Sequence, residues 1–274
     1  MKIRFWGVRG SIATPGKETA KFGGNTSCIE VQCGDKLLIF DGGTGLRLLG
    51  NHFAQTDLHQ AYIFFSHFHW DHIQGFPFFM PVYNPKNSFV LFGENKLANT
   101  LEETLSGQMA QPNFPVALKQ LPGRLTFEHT ESNAQFTIGN DITIQTCPLN
   151  HPSGATSFKI TYKNKVFVYA SDHEHTDKLD ERLVQHSENA DVLVYDSTYT
   201  EEEYYGVTGQ SKKGWGHSTW NEGVKVAKAA KAKKFVLFHH DPLHDDKFIS
   251  SIEKKAKKAH KDSIAAHEGL EIKL

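Results

Sequence analysis

Three imidazoles and a carboxylate fall within the stretch Ser66-His67-Phe68-His69-Trp70-Asp71-His72. These groups are the ligand set of zinc, manganese and iron, and packing does not explain their clustering. The preceding run Ala61-Tyr62-Ile63-Phe64-Phe65 is apolar, of strand length and without helical period, so it reads as a buried strand that ends on a polar rim. Two positions apart in extended chain, His67 and His69 face the same side. The turn that follows carries Asp71 and His72 to a second position a few ångströms away. Such spacing suits two cations roughly 3.5–4 Å apart.

Other apolar runs end in the same manner. Lys36-Leu37-Leu38-Ile39-Phe40 leads to Asp41-Gly42-Gly43-Thr44-Gly45, and residues 141–146 lead to Pro148-Leu149-Asn150-His151-Pro152. A hairpin over 155–162 and 166–169 leads to Ser171-Asp172-His173-Glu174, residues 191–195 to Asp196, and Phe235-Val236-Leu237-Phe238 to His239-His240-Asp241-Pro242. The glycines after Asp41 could cradle a phosphate, but G-x-G-x-x-G is absent, which removes a dinucleotide site. Gly214-Trp215-Gly216-His217-Ser218-Thr219 precedes a helix expected over 220–231, with Ser218 or Thr219 as its cap.

Further strands are expected at 2–6, 28–32, 88–93, 125–128 and 135–138, helices at 46–49 and 95–106, and a loop lying over the site at 108–123. Residues 75–85 are rich in Phe and Pro. They read either as an irregular connection packed on the core or as a substrate wall in which Phe76 and Phe79 stack on a planar group.

The whole chain sets bounds. At 274 residues and 39% hydrophobic it can bury one large core, and a single domain over 1–274 is expected. The formal charge is −1, which offers no global basic surface for nucleic acid. The lysines of 225–261 oppose Ala and Val on helical faces and read as a solvated surface. Three cysteines without CxxC spacing, and no signal-peptide or membrane-length run, lead us to expect a cytoplasmic protein that works away from membranes.

His67-x-His69-x-Asp71-His72 resembles the signature of the metallo-β-lactamase fold superfamily of metal-dependent hydrolases. The resemblance implies an α/β fold, a four-layer αββα sandwich, with which the pattern of β-rich halves followed by helices agrees. It implies two divalent metal ions, zinc first, with manganese or iron suiting the same donors. His67, His69 and His151 would hold one metal and Asp71, His72 and His239 the other, with Asp172 bridging. Asp41 would support the ligands from behind. Of the two adjacent histidines the family's strand-end motif selects His239, with His240 the runner-up. His173, Glu174 and His175 read as outer or surface groups, and His244, Asp245 and Asp246 as the opening of a C-terminal helix. The Glu that flavodiiron-type oxidoreductases typically carry is His69 here.

His217-Ser218-Thr219 further resembles the "HST" segment of the ribonuclease Z-like branch, where it partners a segment ending His-Glu-Ala-Thr. Here that partner is Tyr195-Asp196-Ser197-Thr198, with Asp196 in place of Glu. The branch implies catalytic roles for Asp71, His217 and Asp196, and substrate contacts from Ser218 and Thr219. Transfer-RNA processing members carry a protruding arm between the His151-like and Asp172-like motifs, and only about twenty residues separate those motifs here. Val8-Arg9-Gly10-Ser11, Gly23-Gly24-Asn25-Thr26-Ser27 and the 239–242 stretch resemble cyclic-nucleotide phosphodiesterase-like members. The expected activity is thus hydrolysis of a small phosphodiester, a 3′,5′-cyclic nucleotide first, by a hydroxide shared between the metals. A lactone, thioester or lactam hydrolase and an RNA-processing nuclease are the alternatives. A large nucleic acid is not the expected partner, and a homodimer is the assembly to look for.

Overall fold

The computed structural model describes residues 1–54, 58–95 and 99–274. The first half of the chain forms β1 (Lys2–Gly7), β2 (Cys28–Cys33), β3 (Lys36–Phe40), α1 (Gly45–Phe53), β4 (Gln60–Phe65), α2 (Trp70–Ile73), β5 (Ser88–Gly93), α3 (Leu101–Gln108) and β6 (Arg124–His129). The second half forms β7 (Gln135–Ile138), β8 (Ile142–Leu149), β9 (Ala155–Tyr162), β10 (Lys165–Ala170), α4 (Glu181–His186), β11 (Val192–Asp196), α5 (Glu201–Tyr204), α6 (Trp220–Ala229), β12 (Phe235–Phe238), α7 (Asp246–Ala259), β13 (Ser263–Ala265) and β14 (Glu271–Lys273).

Among the described residues these strands make two seven-stranded sheets, ordered β14-β1-β2-β3-β4-β5-β6 and β13-β12-β11-β10-β9-β8-β7. Strands such as β11 and β12 are buried at every position because both faces of their sheet are covered, hence their unbroken apolar sequence. Phe40, Phe64, Phe158, Phe167 and Tyr169 fill the space between the sheets, and Phe40 stacks on Phe64 at 5.1 Å. One outer face packs Leu46 and Leu49 of α1 and Leu105 of α3. The other packs Leu183 of α4, Val226 of α6 and Ile252 of α7. The result is the four-layer αββα sandwich. No helix of the described residues is long and apolar enough to cross a membrane.

Strands β3 and β4 are parallel neighbours, as are β10, β11 and β12, so five carboxyl ends reach one rim, where ligand sites of α/β sheets form. Three residues at this rim, Asp41, Asp172 and His239, have φ of 60°, 60° and 62°. Left-handed backbone at a residue with a Cβ is destabilising by roughly 1–2 kcal/mol, so it is found where a side chain must be aimed against local preference.

Several boundaries differ from expectation. Helix α3 begins at Leu101, because Thr100 forms a capping box with Glu103; of the stretch expected to precede it, 96–98 lie outside the described residues. The helix expected at 46–49 is longer, and α6 ends at Ala229. Strands β13 and β14, of three residues each, are too short to show a period.

Candidate metal centre

The rim gathers two groups of donor atoms whose tautomers follow from their neighbours. Ser66 Oγ donates to Asp41 Oδ2 at 2.8 Å. Its hydrogen is therefore spent, and at 3.0 Å it accepts from His67 Nδ1, which leaves His67 Nε2 a bare lone pair. His151 Nδ1 donates to Gly216 O at 2.7 Å, which bares His151 Nε2. Both Nε2 atoms lie 3.0 Å from His69 Nδ1.

The second group is built likewise. His72 Nδ1 donates to Asp41 Oδ2 at 2.8 Å, so its bare Nε2 faces Asp71 Oδ2 and Asp172 Oδ2, each at 3.2 Å. Thr198 Oγ1 has acceptors in Asp196 Oδ1 at 2.7 Å and His239 O at 2.8 Å, so at 3.1 Å it accepts from His239 Nδ1. The bared His239 Nε2 faces Asp71 Oδ2 at 3.2 Å and Asp172 Oδ1 at 3.3 Å. Asp172 Oδ1 also lies 3.7 Å from His67 Nε2 and 3.8 Å from His151 Nε2, between the two groups.

Acceptors pointed at acceptors need a cation. Donor atoms bound at about 2.0–2.2 Å to one metal must lie roughly 3–3.5 Å from each other, and these do. The carboxylates call for positive charge here, whether a proton on His72 or a metal in its place: burial opposes charging His72, yet Asp172, Asp71 and Asp41 raise its pKa well above the ordinary value. The residues present therefore fit divalent metal.

The surrounding elements fix these side chains. Asp41 is fully buried and also accepts from Ser66 N at 2.7 Å and Tyr169 Oη at 2.6 Å. Asp71 Oδ2 accepts from Ser11 N at 2.7 Å. A Cβ on Gly10 would stand 2.3 Å from the His239 ring, and one on Gly216 2.4 Å from His151 Nδ1, so both glycines let backbone lie against a ligand ring. His69 is exposed and His217 partly so, which marks the mouth.

His217 stacks on His239 with ring centres 4.8 Å apart. Its Nδ1 donates to Asp196 Oδ2 at 2.8 Å. Burial opposes its charged form, but Asp196, then Asp172 and Asp71, raise its pKa to about 9. Asp196 is filled by further donors, Thr198 N, Thr198 Oγ1 and His173 N. It positions His217 and has no free oxygen for a substrate.

A family model described as beta-lactamase superfamily domain matches residues 38–240. The chain belongs to the beta-lactamase superfamily. Ribonuclease Z of Pyrococcus horikoshii is 21% identical over 90% of this chain and 88% of its own length. In structure, the metallo-beta-lactamase fold protein YhfI from Bacillus subtilis matches with a TM-score of 0.73 at 20% identity, covering 99% of this chain and 98% of that one. A diphosphatase from the PhnP family matches at 0.72 and 15% identity, covering 100% and 97%. This chain is thus a hydrolase of the metallo-beta-lactamase superfamily that is similar in sequence to ribonuclease Z.

Some expected contacts are corrected. Phe76 and Phe79 are fully buried in the core beneath α1 and cannot form a substrate wall; Phe78, 52% exposed, turns outward instead. Ser218 and Thr219 are also fully buried. Ser218 Oγ accepts from Tyr195 Oη at 3.0 Å and Thr219 caps α6 through Glu222 N, so both build the scaffold and neither meets a substrate. His240 turns away, its Nε2 donating to Ala266 O at 2.9 Å. The residue underrated by the sequence is Glu174. It accepts from Gly214 N at 2.6 Å, Gly216 N at 2.8 Å and Tyr204 Oη at 2.8 Å, and so pins the loop that supplies both Gly216 O and His217. Its nearness to Asp172 was the available signal.

Proposed function

We propose that this hydrolase cleaves a small phosphodiester, a 3′,5′-cyclic nucleotide first. In this reading His67, His69 and His151 hold one divalent cation, Asp71, His72 and His239 a second, and Asp172 lies between; zinc suits the set, as do manganese and iron. When bound, such a pair neutralises phosphoryl oxygens and brings a water towards a pKa of about 7. The chain's own residues do the rest. Asp71, held by Ser11 N, fixes donor geometry on one side of the centre. His217, charged and oriented by Asp196, gives its Nε2 proton to the leaving 3′ oxygen.

The observation that carries this reading is the His217–Asp196 pair at 2.8 Å beside the donor groups. A carboxylic ester hydrolysed at the same metals has less need of a fixed imidazolium acid opposite them. The names of the ribonuclease Z relatives favour an RNA substrate as second reading. Against it stands the β9–β10 hairpin, paired in continuous register from Tyr162↔Lys165 to Phe158↔Tyr169. Its two turn residues, Lys163 and Asn164, both have positive φ, as a tight two-residue turn requires, and no arm rises between His151 and Asp172.

The test is turnover by metal-loaded protein of bis(p-nitrophenyl) phosphate, 3′,5′- and 2′,3′-cyclic nucleotides, a short RNA, a lactone and a β-lactam. Selective cleavage of a cyclic nucleotide is expected. Activity confined to the lactone or lactam would remove the phosphodiester reading, and preference for the RNA would promote the second.

A further inference from the structure

A groove of about 750 Å³ opens beside the exposed His69. It shares Phe68, Asn99 and Thr104 with a smaller cleft whose walls include His67 and His69 themselves. A molecule bound at the metal centre can therefore extend into it. Its aromatic lining is Phe68, Trp70, Phe78 and Phe114. Trp70 is 76% exposed, and Phe78 meets Phe114 edge-on with centres 5.6 Å apart.

The polar lining offers donors and acceptors: the amides of Gln74, Asn99, Gln108 and Asn113, the Thr104 hydroxyl and the Glu103 carboxylate. Gln74 and Gln108 are tied through Nε2 to Thr26 Oγ1 at 3.3 Å and Ile73 O at 3.1 Å, which leaves their amide oxygens as acceptors. Among the described lining residues there is no Lys or Arg, and the one charged group is Glu103. Phosphates of a polynucleotide have nothing to meet there. A flat, neutral ring with N–H donors on its edge has both stacking faces and acceptors.

We infer that this groove seats the nucleobase of the substrate, against Trp70, Phe78 and Phe114, with its edge read by Gln74 and Gln108. The inference rests on the phosphodiester reading of the adjacent centre and adds which half of the substrate lies where. It also states a specificity: phosphodiesters with a planar heterocycle are preferred over those with a bare sugar. Aromatic stacking on a base commonly contributes about 5- to 150-fold in affinity.

The test is equilibrium binding to the metal-loaded protein, followed by tryptophan fluorescence and by calorimetry. Adenosine 5′-monophosphate and ribose 5-phosphate serve as probes that differ only by the base. The nucleotide is expected to bind at least tenfold tighter and to quench Trp70, a signal that Trp70→Phe abolishes. Phe78→Ala, at a half-exposed position that the core does not need, should weaken the nucleotide about fivefold or more and leave ribose 5-phosphate unchanged. Equal affinity for the two probes would overturn the inference, as would an unaltered Kd in Phe78→Ala. So would a groove closed by a second copy of this chain, seen as a dimer by sedimentation that Phe78→Ala dissociates. Base-dependent binding without phosphodiester turnover would sink the proposed activity alone; turnover without base-dependent binding would sink the groove alone.

Discussion

At the scale of single residues, the proton positions around the centre are dictated by hydroxyls and carbonyls one step back. Ser66, Thr198 and Gly216 each place a hydrogen on the outer nitrogen of a histidine, so three neutral rings present lone pairs inward. His217 is the opposite case, a ring that Asp196, then Asp172 and Asp71, hold in its charged form. His217→Ala should therefore lower kcat by about 10²-fold or more while metal content, read by elemental analysis, stays at the wild-type value; an equally active variant would take His217 out of the chemistry. Glu174 touches neither metal donors nor substrate. Glu174→Gln keeps the shape but surrenders acceptor strength at Gly214 N, Gly216 N and Tyr204 Oη, and loss of such supporting contacts typically lowers affinity or activity by 10–100-fold. We expect kcat to fall by about tenfold with weaker metal binding in a competitive chelator titration, and a change in neither would make the loop self-supporting.

At the scale of elements, α6 shows how closely helix and sheet are fitted. Gly223 lies mid-helix, where Ala would be favoured by about 1 kcal/mol on propensity. A Cβ there would stand 2.5 Å from Phe235 Cζ and 2.7 Å from Tyr195 Cδ1, and overpacking of this kind is destabilising by about 1–3 kcal/mol. Sterics should win: Gly223→Ala is expected to lower stability to urea, and a rise would show that β11 and α6 can separate freely. The same contact explains Tyr195, whose ring lies under Gly223 and whose hydroxyl reaches Ser218. From sequence Tyr195 is only a departure from a motif. Strands that end at the rim were legible because an apolar run followed by His or Asp is a local pattern; so was a cap at Ser218 or Thr219, which falls to Thr219, and a hairpin about 163–165, in which Lys165 already pairs with Tyr162. Which of Phe76, Phe78 and Phe79 faces outward was not, since a short 3-10 turn over Phe76–Phe78 has no period to read. Nor was the fate of Ser218, buried by a tyrosine twenty-three residues earlier.

At the scale of the molecule, charge and chemistry are kept apart. Helices α6 and α7 start beside the rim, at Thr219 and Asp245, and many of their lysines come towards or beyond the far ends, Lys228 to Lys234 and Lys254 to Lys261. A ten-residue helix is about 15 Å long, so the basic end is remote from the metal donors and does not steer a polyanion to them. Stability should carry a separate pH signature. Burial, and Lys159 after it, lower the His186 pKa to about 4, and its Nε2 has no partner. The unfolded chain, near 6.5, binds this proton more readily, so the contribution is complete above about pH 6.5, declines as pH falls towards 4 and is flat below. The loss at pH 5 is roughly 2 kcal/mol. Between pH 7 and pH 5 the wild type should lose roughly 2 kcal/mol more than His186→Leu in urea melts, since His173 and His240, also lowered by burial, titrate in both; matching losses would assign the effect elsewhere. The left-handed backbone at Asp41, Asp172 and His239 has a consequence for anyone evolving this protein. A selection that rewards heat resistance without asking for catalysis or metal should settle on glycine at position 172, giving proteins that melt higher and hydrolyse nothing, and keep Asp41, whose four donors would otherwise be orphaned in the core.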